Sequence, residues 1–408
     1  MSLQPAESPS AAFQAQIDAC HAAGGGEVLI PPGCHHTGSL VLRSNVHLRF
    51  APGAVLLGSG DIAHYAVKGV PLFIDAVGGE RGHALIFAQD AHNIGISGPG
   101  IIDGNGLAFE GQTHRPMILR FVRCSGLRLR DVTLRDSAAW VQHYLDCEDV
   151  AIDGITVDST HCSNNDGINL DGCRRVTLAN CRFNAKDDAI TLKTTTAAIC
   201  RDIAITNCTL SSECNGIKLG TESKSDFRNI TISNCALHHV RLCGIEILSV
   251  DGAHIDTVNI SNIVMDHVGG AFFLRLGQRG LNEKIARPGC VRNISITNVS
   301  AFIHDDTPEV VDLRWEVPHG ARSASSIMGL PGYPVENVYL GNIDIHHIGT
   351  GTAEDAAQPV EEKPAEYPQW ERWGPLPAWG LYVRHARGVT ARPAFPPASP
   401  GCPSLHLY

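Results

Sequence analysis

The chain is poor in aromatic residues, at 6% of its 408 positions, while glycine reaches 41 residues. That balance disfavours a helical bundle and favours a turn-rich, β-branched architecture. Nor is there an uninterrupted apolar run approaching the roughly 18 residues that a membrane-spanning helix needs. Basic charge is not in excess: 32 Lys and Arg stand against 42 Asp and Glu, for a formal net charge of −10. A nucleic-acid groove or an anionic-membrane surface therefore has no global electrostatic support. Residues 1–10 lack a charged segment followed by an apolar core, so no secretion signal is visible, and a cytoplasmic location is expected over a secreted one. Charged residues are few at 18%, but 43% apolar content excludes wholesale disorder.

Cysteine is plentiful, with 14 residues, yet its placement argues against a disulfide framework. Cys181, Cys208 and Cys235 recur every 27 residues, each preceded by an asparagine: Asn180, Asn207 and Asn234. This spacing marks one position of a repeat, filled by a small buried thiol. The register runs from Cys124 through Cys147, Cys173, Cys200, Phe227, Ile255 and Val291 to Val335. Its start-to-start spacings are 23, 26, 27, 27, 28, 36 and 44 residues. Each unit alternates with period 2 and breaks at the asparagine, which predicts two short strands joined by a bend. A third strand lies between units, as in Gly167-Ile-Asn-Leu, Ala189-Ile-Thr-Leu, Gly216-Ile-Lys-Leu and Gly244-Ile-Glu-Ile.

Three strands in one such unit cannot bury an apolar face alone, whereas stacked units can. The expected fold is all-β, a right-handed parallel β-helix of about ten coils. The asparagine column predicts an amide ladder at the bend. Five Asn-x-Ser/Thr sequons, at Asn207, Asn229, Asn259, Asn293 and Asn298, fall in the same repeat and read as bend chemistry rather than glycosylation sites.

The ends differ from the middle. Residues 1–26 form an N-terminal segment whose helical spacing of Phe13, Ile17 and Cys20 predicts a cap over the first coil. Residues 27–389 form the β-helix that carries any site, and 390–408 read as an irregular, proline-rich tail. Two insertions, 305–324 and 349–377, interrupt the repeat. The second is rich in Pro, Glu and Trp and reads as a wall of the site.

The chemistry gathers at the third strand. Asp166 and Asp188 each precede a small residue and an isoleucine, so they hold equivalent positions in successive units, and Asp187 lies one residue earlier. Carboxyls crowded in this way repel, which raises at least one pKa and keeps a proton available. Glycosidic cleavage requires that division of labour, with a protonated acid at the leaving oxygen and an ionised base for water. The bland alternative is that Asp-Gly and Asp-Asp merely make turns.

The Asn-x-Asp-Gly motif at Asn164 to Gly167 and the pair Asp187-Asp188 resemble the signature motifs of glycoside hydrolase family 28. That family contains polygalacturonases and rhamnogalacturonases on a right-handed parallel β-helix. The likeness extends to Ala22-Ala-Gly-Gly-Gly-Glu-Val-Leu-Ile-Pro-Pro-Gly, to Gly98-Pro-Gly-Ile-Ile-Asp-Gly-Asn-Gly, and to Ala139-Trp140 with His143. The resemblance implies Asp187 as general acid, with Asp166 and Asp188 holding the water that attacks with inversion. It implies saccharide contacts at Asn164 and His143, and neither a metal nor a cofactor.

The chain also departs from the family. Where polygalacturonases carry Gly-His-Gly, it has Cys214-Asn215-Gly216, and where they carry Arg-x-Lys it has Glu246-Ile247-Leu248. Alternation puts Glu246 on the outer face with Lys218, Thr191 and Asn169, and Lys193 and Lys218 leave cations nearby. Asn215, Lys218, Glu246 and Lys193 are accordingly the remaining candidates for substrate binding. For Glu246 and Lys218 the competing reading is a cross-coil ion pair, and for His143 a wall histidine.

The expected function is an inverting glycosidase of polygalacturonase type, exo-acting on pectin-type or related oligosaccharides. Its partner would be a saccharide, not nucleic acid or membrane, with the oligomeric state open. A lyase on the same fold, or a catalytically silent carbohydrate-binding β-helix, are the alternatives.

Overall fold

The computed structural model describes residues 10–280, 287–303, 324–347, 353–374, 376–378, 380–393 and 405–407. It has two compact units, Met1–Asp187 and Asp188–Tyr408. Each is built as a right-handed parallel β-helix. The boundary between them falls within the span 27–389; solenoid coils contact only their neighbours, so each unit stacks its own core. No helix among the described residues is long and apolar enough to cross a membrane.

In the first unit, α1 (Ala11–Ala22) precedes the strands and buries Ile17. It ends where the Gly25 amide donates to the Cys20 carbonyl, and Gly24 and Gly25 take φ of 99° and 118°. The first ladder runs Gly26–Ile30, Val46–Phe50, His92–Ser97, Ser125–Arg130, Glu148–Asp153, Arg174–Ala179. In the second unit the equivalent ladder begins at Cys200–Thr206 and continues through Phe227–Ser249, His254–Leu276, Cys290–Ile303, Val335–His347 and Ala386–Pro393.

The register reproduces the sequence spacing. Ser125 pairs with Glu148 and Glu148 with Arg174. In the second unit Cys200 pairs with Phe227, Phe227 with Ile255, Ile255 with Val291, and Arg292 with Glu336. The asparagines break alternation because they sit in the left-handed region, with φ of 59° at Asn180, 55° at Asn207 and Asn234, and 57° at Asn262. Asparagine tolerates that region better than other side chains with a Cβ. The ladder is present in the second unit, where Asn262, Asn298 and Asn342 each donate to the preceding asparagine at 3.0, 3.0 and 2.9 Å. Asn180 instead donates to Asp153 at 2.7 Å. A second left-handed column, including Asn229, Asn293 and Asn337, was not legible as a separate bend.

The cysteine after each bend has its own reason. The thiols of Cys181, Cys208 and Cys235 are buried and donate to the carbonyl two residues back, Ala179, Thr206 and Ser233, at 2.9, 3.3 and 3.3 Å. The bends do not always end a strand: Phe227–Ser249 and His254–Leu276 run as 23-residue strands through them, where three short ones were expected. The small residue that opens each third strand is steric. A Cβ on Gly216 would stand 2.7 Å from the Gly244 carbonyl oxygen.

The proline-rich tail is not wholly irregular. Residues 390–393 complete the strand Ala386–Pro393, whose proline falls at its end, and Leu405–Leu407 pairs with Leu381–Val383. An unsatisfied edge accepts a further strand where the chain returns to it. The remaining tail residues and the insertion 305–323 lie outside the described residues.

Candidate functional site

In the first unit the Asn164-Asn165-Asp166 segment is a locked turn. Asn165 is fully buried: its oxygen accepts from Ser159 Oγ at 2.9 Å, and its amide donates to the Ser137 and Ala139 carbonyls at 2.9 and 2.6 Å. Asn164 takes φ of 57°, and its side-chain oxygen accepts from Arg115 Nη2 at 2.8 Å and Arg81 Nη2 at 3.2 Å. Arg81 is itself buried against Asp75, at 2.8 Å. These two arginines were not anticipated, because they lie outside the repeat, Arg81 on a short hairpin and Arg115 in the segment before Met117. Asp166 is buried and Asp187 half-buried.

His143 is fully buried, its Nε2 3.1 Å from Asp171 Oδ2 and its ring 5.2 and 5.3 Å from those of Trp140 and Phe73. These contacts are those of a wall histidine. Asn169, its ladder neighbour, buries both side-chain polar atoms with no hydrogen-bond partner among the described residues.

In the second unit one outward column runs Thr191, Lys218, Glu246, Phe273, Ser326, Tyr382 across successive strands. Asp188 sits beside it. Its Oδ1 accepts from Asn215 Nδ2 at 2.8 Å, and its Oδ2 is 3.1 Å from Lys218 Nζ. Asn215 is oriented in turn by the Cys243 amide, which donates to it at 3.0 Å. Burial disfavours ionisation of Asp188, but Lys218, Lys193 and the Asn215 bond outweigh it and hold the carboxyl below its ordinary range. A lowered Asp188 accords with the ionised, water-holding role expected of it, and the cations Lys218 and Lys193 are what keep it so.

The raised carboxyl is Glu246. It is fully buried, 3.6 Å from Lys218 Nζ, and neither oxygen has a hydrogen-bond partner. Burial pushes it up to about 8, with Asp188 and Glu371 adding to the rise and Lys218 opposing it. Lys193 pairs with Glu222 at 3.0 Å. Burial opposes ionisation of Glu222 as well, but Lys193 prevails and brings it down to about 2.

This column faces outward yet is covered, and the cover comes from the second insertion. Thr221 Oγ1 donates to Tyr367 Oη at 3.1 Å, and Lys218 Nζ lies 5.7 Å from the centre of the Tyr367 ring. Phe273 meets Trp373 at 5.9 Å, and Arg275, 4.8 Å from the Trp373 ring, also donates to the Glu362 carbonyl. Both oxygens of Glu371 and the Nε1 of Trp370 are buried without a hydrogen-bond partner. Tyr367 and Glu371 were missed individually. Their signal was the run Tyr367-Pro-Gln-Trp-Glu-Arg-Trp373 in a chain otherwise poor in aromatics.

Each unit thus offers ordered polar groups of its own: the Asn-x-Asp-Gly turn in the first, and the buried column of Lys218 and Glu246 with Asp188 in the second. Comparison with known proteins gives the family directly: the profile of glycosyl hydrolases family 28 matches residues 73–301, and the chain belongs to that family. A probable polygalacturonase of Vitis vinifera is 31% identical over 184 residues, 42% of this chain and 37% of that one. An exo-poly-alpha-D-galacturonosidase of Dickeya chrysanthemi is 27% identical over 237 residues, covering 44% and 38%. These matches thus span under half the length of those relatives. The fold resembles an exopolygalacturonase from Thermotoga maritima, with a TM-score of 0.65 at 19% identity over 82% of this chain and 83% of that one.

Proposed function

We propose that this chain is an inverting glycoside hydrolase that removes units from pectin-type or related oligosaccharides. The family and the exo-acting names among its relatives support that reading. The observation that carries it is the setting of Asp188, a buried carboxylate kept ionised by Lys218 and Lys193 and oriented by Asn215. Such a group is fit to activate water. Asp187 is the general acid and Asp166 the partner of Asp188, roles carried over from the family motifs.

The leaving-side sugar is neutral in this proposal. Glu246 stands where the family's Arg-x-Lys grip begins, and Lys218 is already engaged by Asp188 and Glu246. Burial pushes the Glu246 carboxyl up to about 8, so it supplies no cation to grip a uronate in place of the Arg-x-Lys pair.

The test incubates matched oligosaccharides, differing only in the leaving-side residue, and follows the anomeric proton of the first product by NMR. Inversion with preference for the neutral sugar is expected. An unsaturated, ultraviolet-absorbing product would make the protein a lyase, and no turnover on any substrate would make it a binding module.

A further inference from the structure

A second cluster in the first unit lies outside the aspartate machinery. Glu80, His83 and His114 each offer a ligand atom, all within 4.8 Å of one another. We propose that these three side chains bind one divalent transition-metal ion, of which Zn²⁺ is the natural case, and that the ion ties together the two segments that hold Asn164.

The donor set suits such a cation. Two imidazole nitrogens and one carboxylate are ligands of Zn²⁺ and its neighbours, whereas Mg²⁺ and Ca²⁺ prefer all-oxygen sites. His83 also has the outer contact typical of a metal ligand. Its Nδ1 is 3.2 Å from the Tyr65 carbonyl, which can only accept, so Nδ1 carries the proton and Nε2 presents a lone pair. His114 Nδ1 is 2.8 Å from Glu80 Oε1, and the ion would replace the proton those two atoms share. The rings of His83 and His114 are 6.0 Å apart in an edge arrangement. Tetrahedral ligands at about 2.0–2.2 Å from Zn²⁺ stand about 3.4 Å apart, so the His114–Glu80 contact opens slightly and any wider separation in the triangle closes.

The framework holds the three donors independently of any ion. Glu80 is on a two-stranded hairpin, Phe73–Ile74 against Glu80–Arg81, whose turn is closed by Asp75 Oδ1 accepting from the Gly79 amide at 2.7 Å. His83 immediately precedes Ala84, which pairs with Met117, three residues after His114. The consequence lies one residue further along each segment. Glu80 is followed by Arg81 and His114 by Arg115, and both guanidinium groups converge on Asn164 Oδ1. An ion at the cluster would therefore fasten the hairpin to the segment before Met117 and restrain both arginines together.

The full chain, stripped by chelator and carrying Cys34→Ser to remove an exposed thiol, is titrated calorimetrically with Zn²⁺, and its thermal midpoint is recorded with and without metal. One bound equivalent and a raised midpoint are expected, with no shift from Mg²⁺ or Ca²⁺. His114→Ala and His83→Gln should each lose that equivalent and the shift while keeping the metal-free midpoint. The glutamine retains a donor to Tyr65, so it guards against misfolding. Zn²⁺ binding of equal stoichiometry and strength in these variants, or no midpoint shift in the parent, would overturn the site and leave Glu80–His114 as a plain ion pair.

Discussion

The Glu246 carboxyl lies 3.6 Å from the Lys218 ammonium and is still pushed up to about 8, because burial disfavours its charge more than Lys218, which sits closer to Asp188, can favour it. In the unfolded chain that carboxyl releases its proton near its ordinary value of 4.5. The folded state therefore holds an extra proton between about pH 4.5 and 8, and stability falls as pH rises through that window. Glu246→Gln removes the dependence. Thermal unfolding from pH 4 to 9 should show a flatter profile for the variant and greater stability at pH 8; superimposable profiles would refute the assignment.

Asp188 has the opposite sign. Its folded pKa is depressed, so its pairing with Lys218 stabilises above the ordinary aspartate range and is lost as pH falls through the folded value. Lys218→Met leaves a buried carboxylate short of its nearest cation. Breaking a buried pair on one side typically costs about 3–5 kcal/mol. Urea unfolding at neutral pH should show a loss of that order, and Asp188→Asn on top of Lys218→Met should recover part of it.

Asp187 is half-buried, so Asp187→Asn is expected to leave the fold and the unfolding midpoint intact. Removing a general acid typically lowers the rate by about 10² to 10⁴. Turnover of the variant on a natural oligosaccharide near that of the parent would take the role away from Asp187.

The ladder asparagine Asn262 separates backbone from side-chain effects. It sits at φ of 57°, donates to Asn234 and accepts from Asn298, both at 3.0 Å and both exposed. Asn262→Ala forces a plain Cβ into the left-handed region, at a cost of about 1–2 kcal/mol. Asn262→Gly keeps the conformation and should regain most of that loss in denaturant titrations. If glycine proves as destabilising as alanine, the amide ladder rather than the bend holds the corner.

What the sequence determined by itself is what repeats. The 23- to 44-residue spacings became ladder register because parallel coils must align their apolar alternation, and a slip of one residue would turn every side chain over. The Asn-Cys step was legible because a left-handed bend followed by a back-bonded thiol recurs at one position. The aspartate motifs and the column of Lys218 and Glu246 followed from that same periodicity. The tertiary structure alone decided what covers the column and what each charge meets there. Tyr367 and Glu371 come from an insertion with no period, and Arg81 and Arg115 from segments outside the repeat that reach Asn164 over 83 and 49 residues of sequence. Ionisation states belong to this second group, because they depend on burial and on the nearest opposite charge. Glu246 and Asp188 both face Lys218, but only their wider surroundings leave one protonated and the other charged.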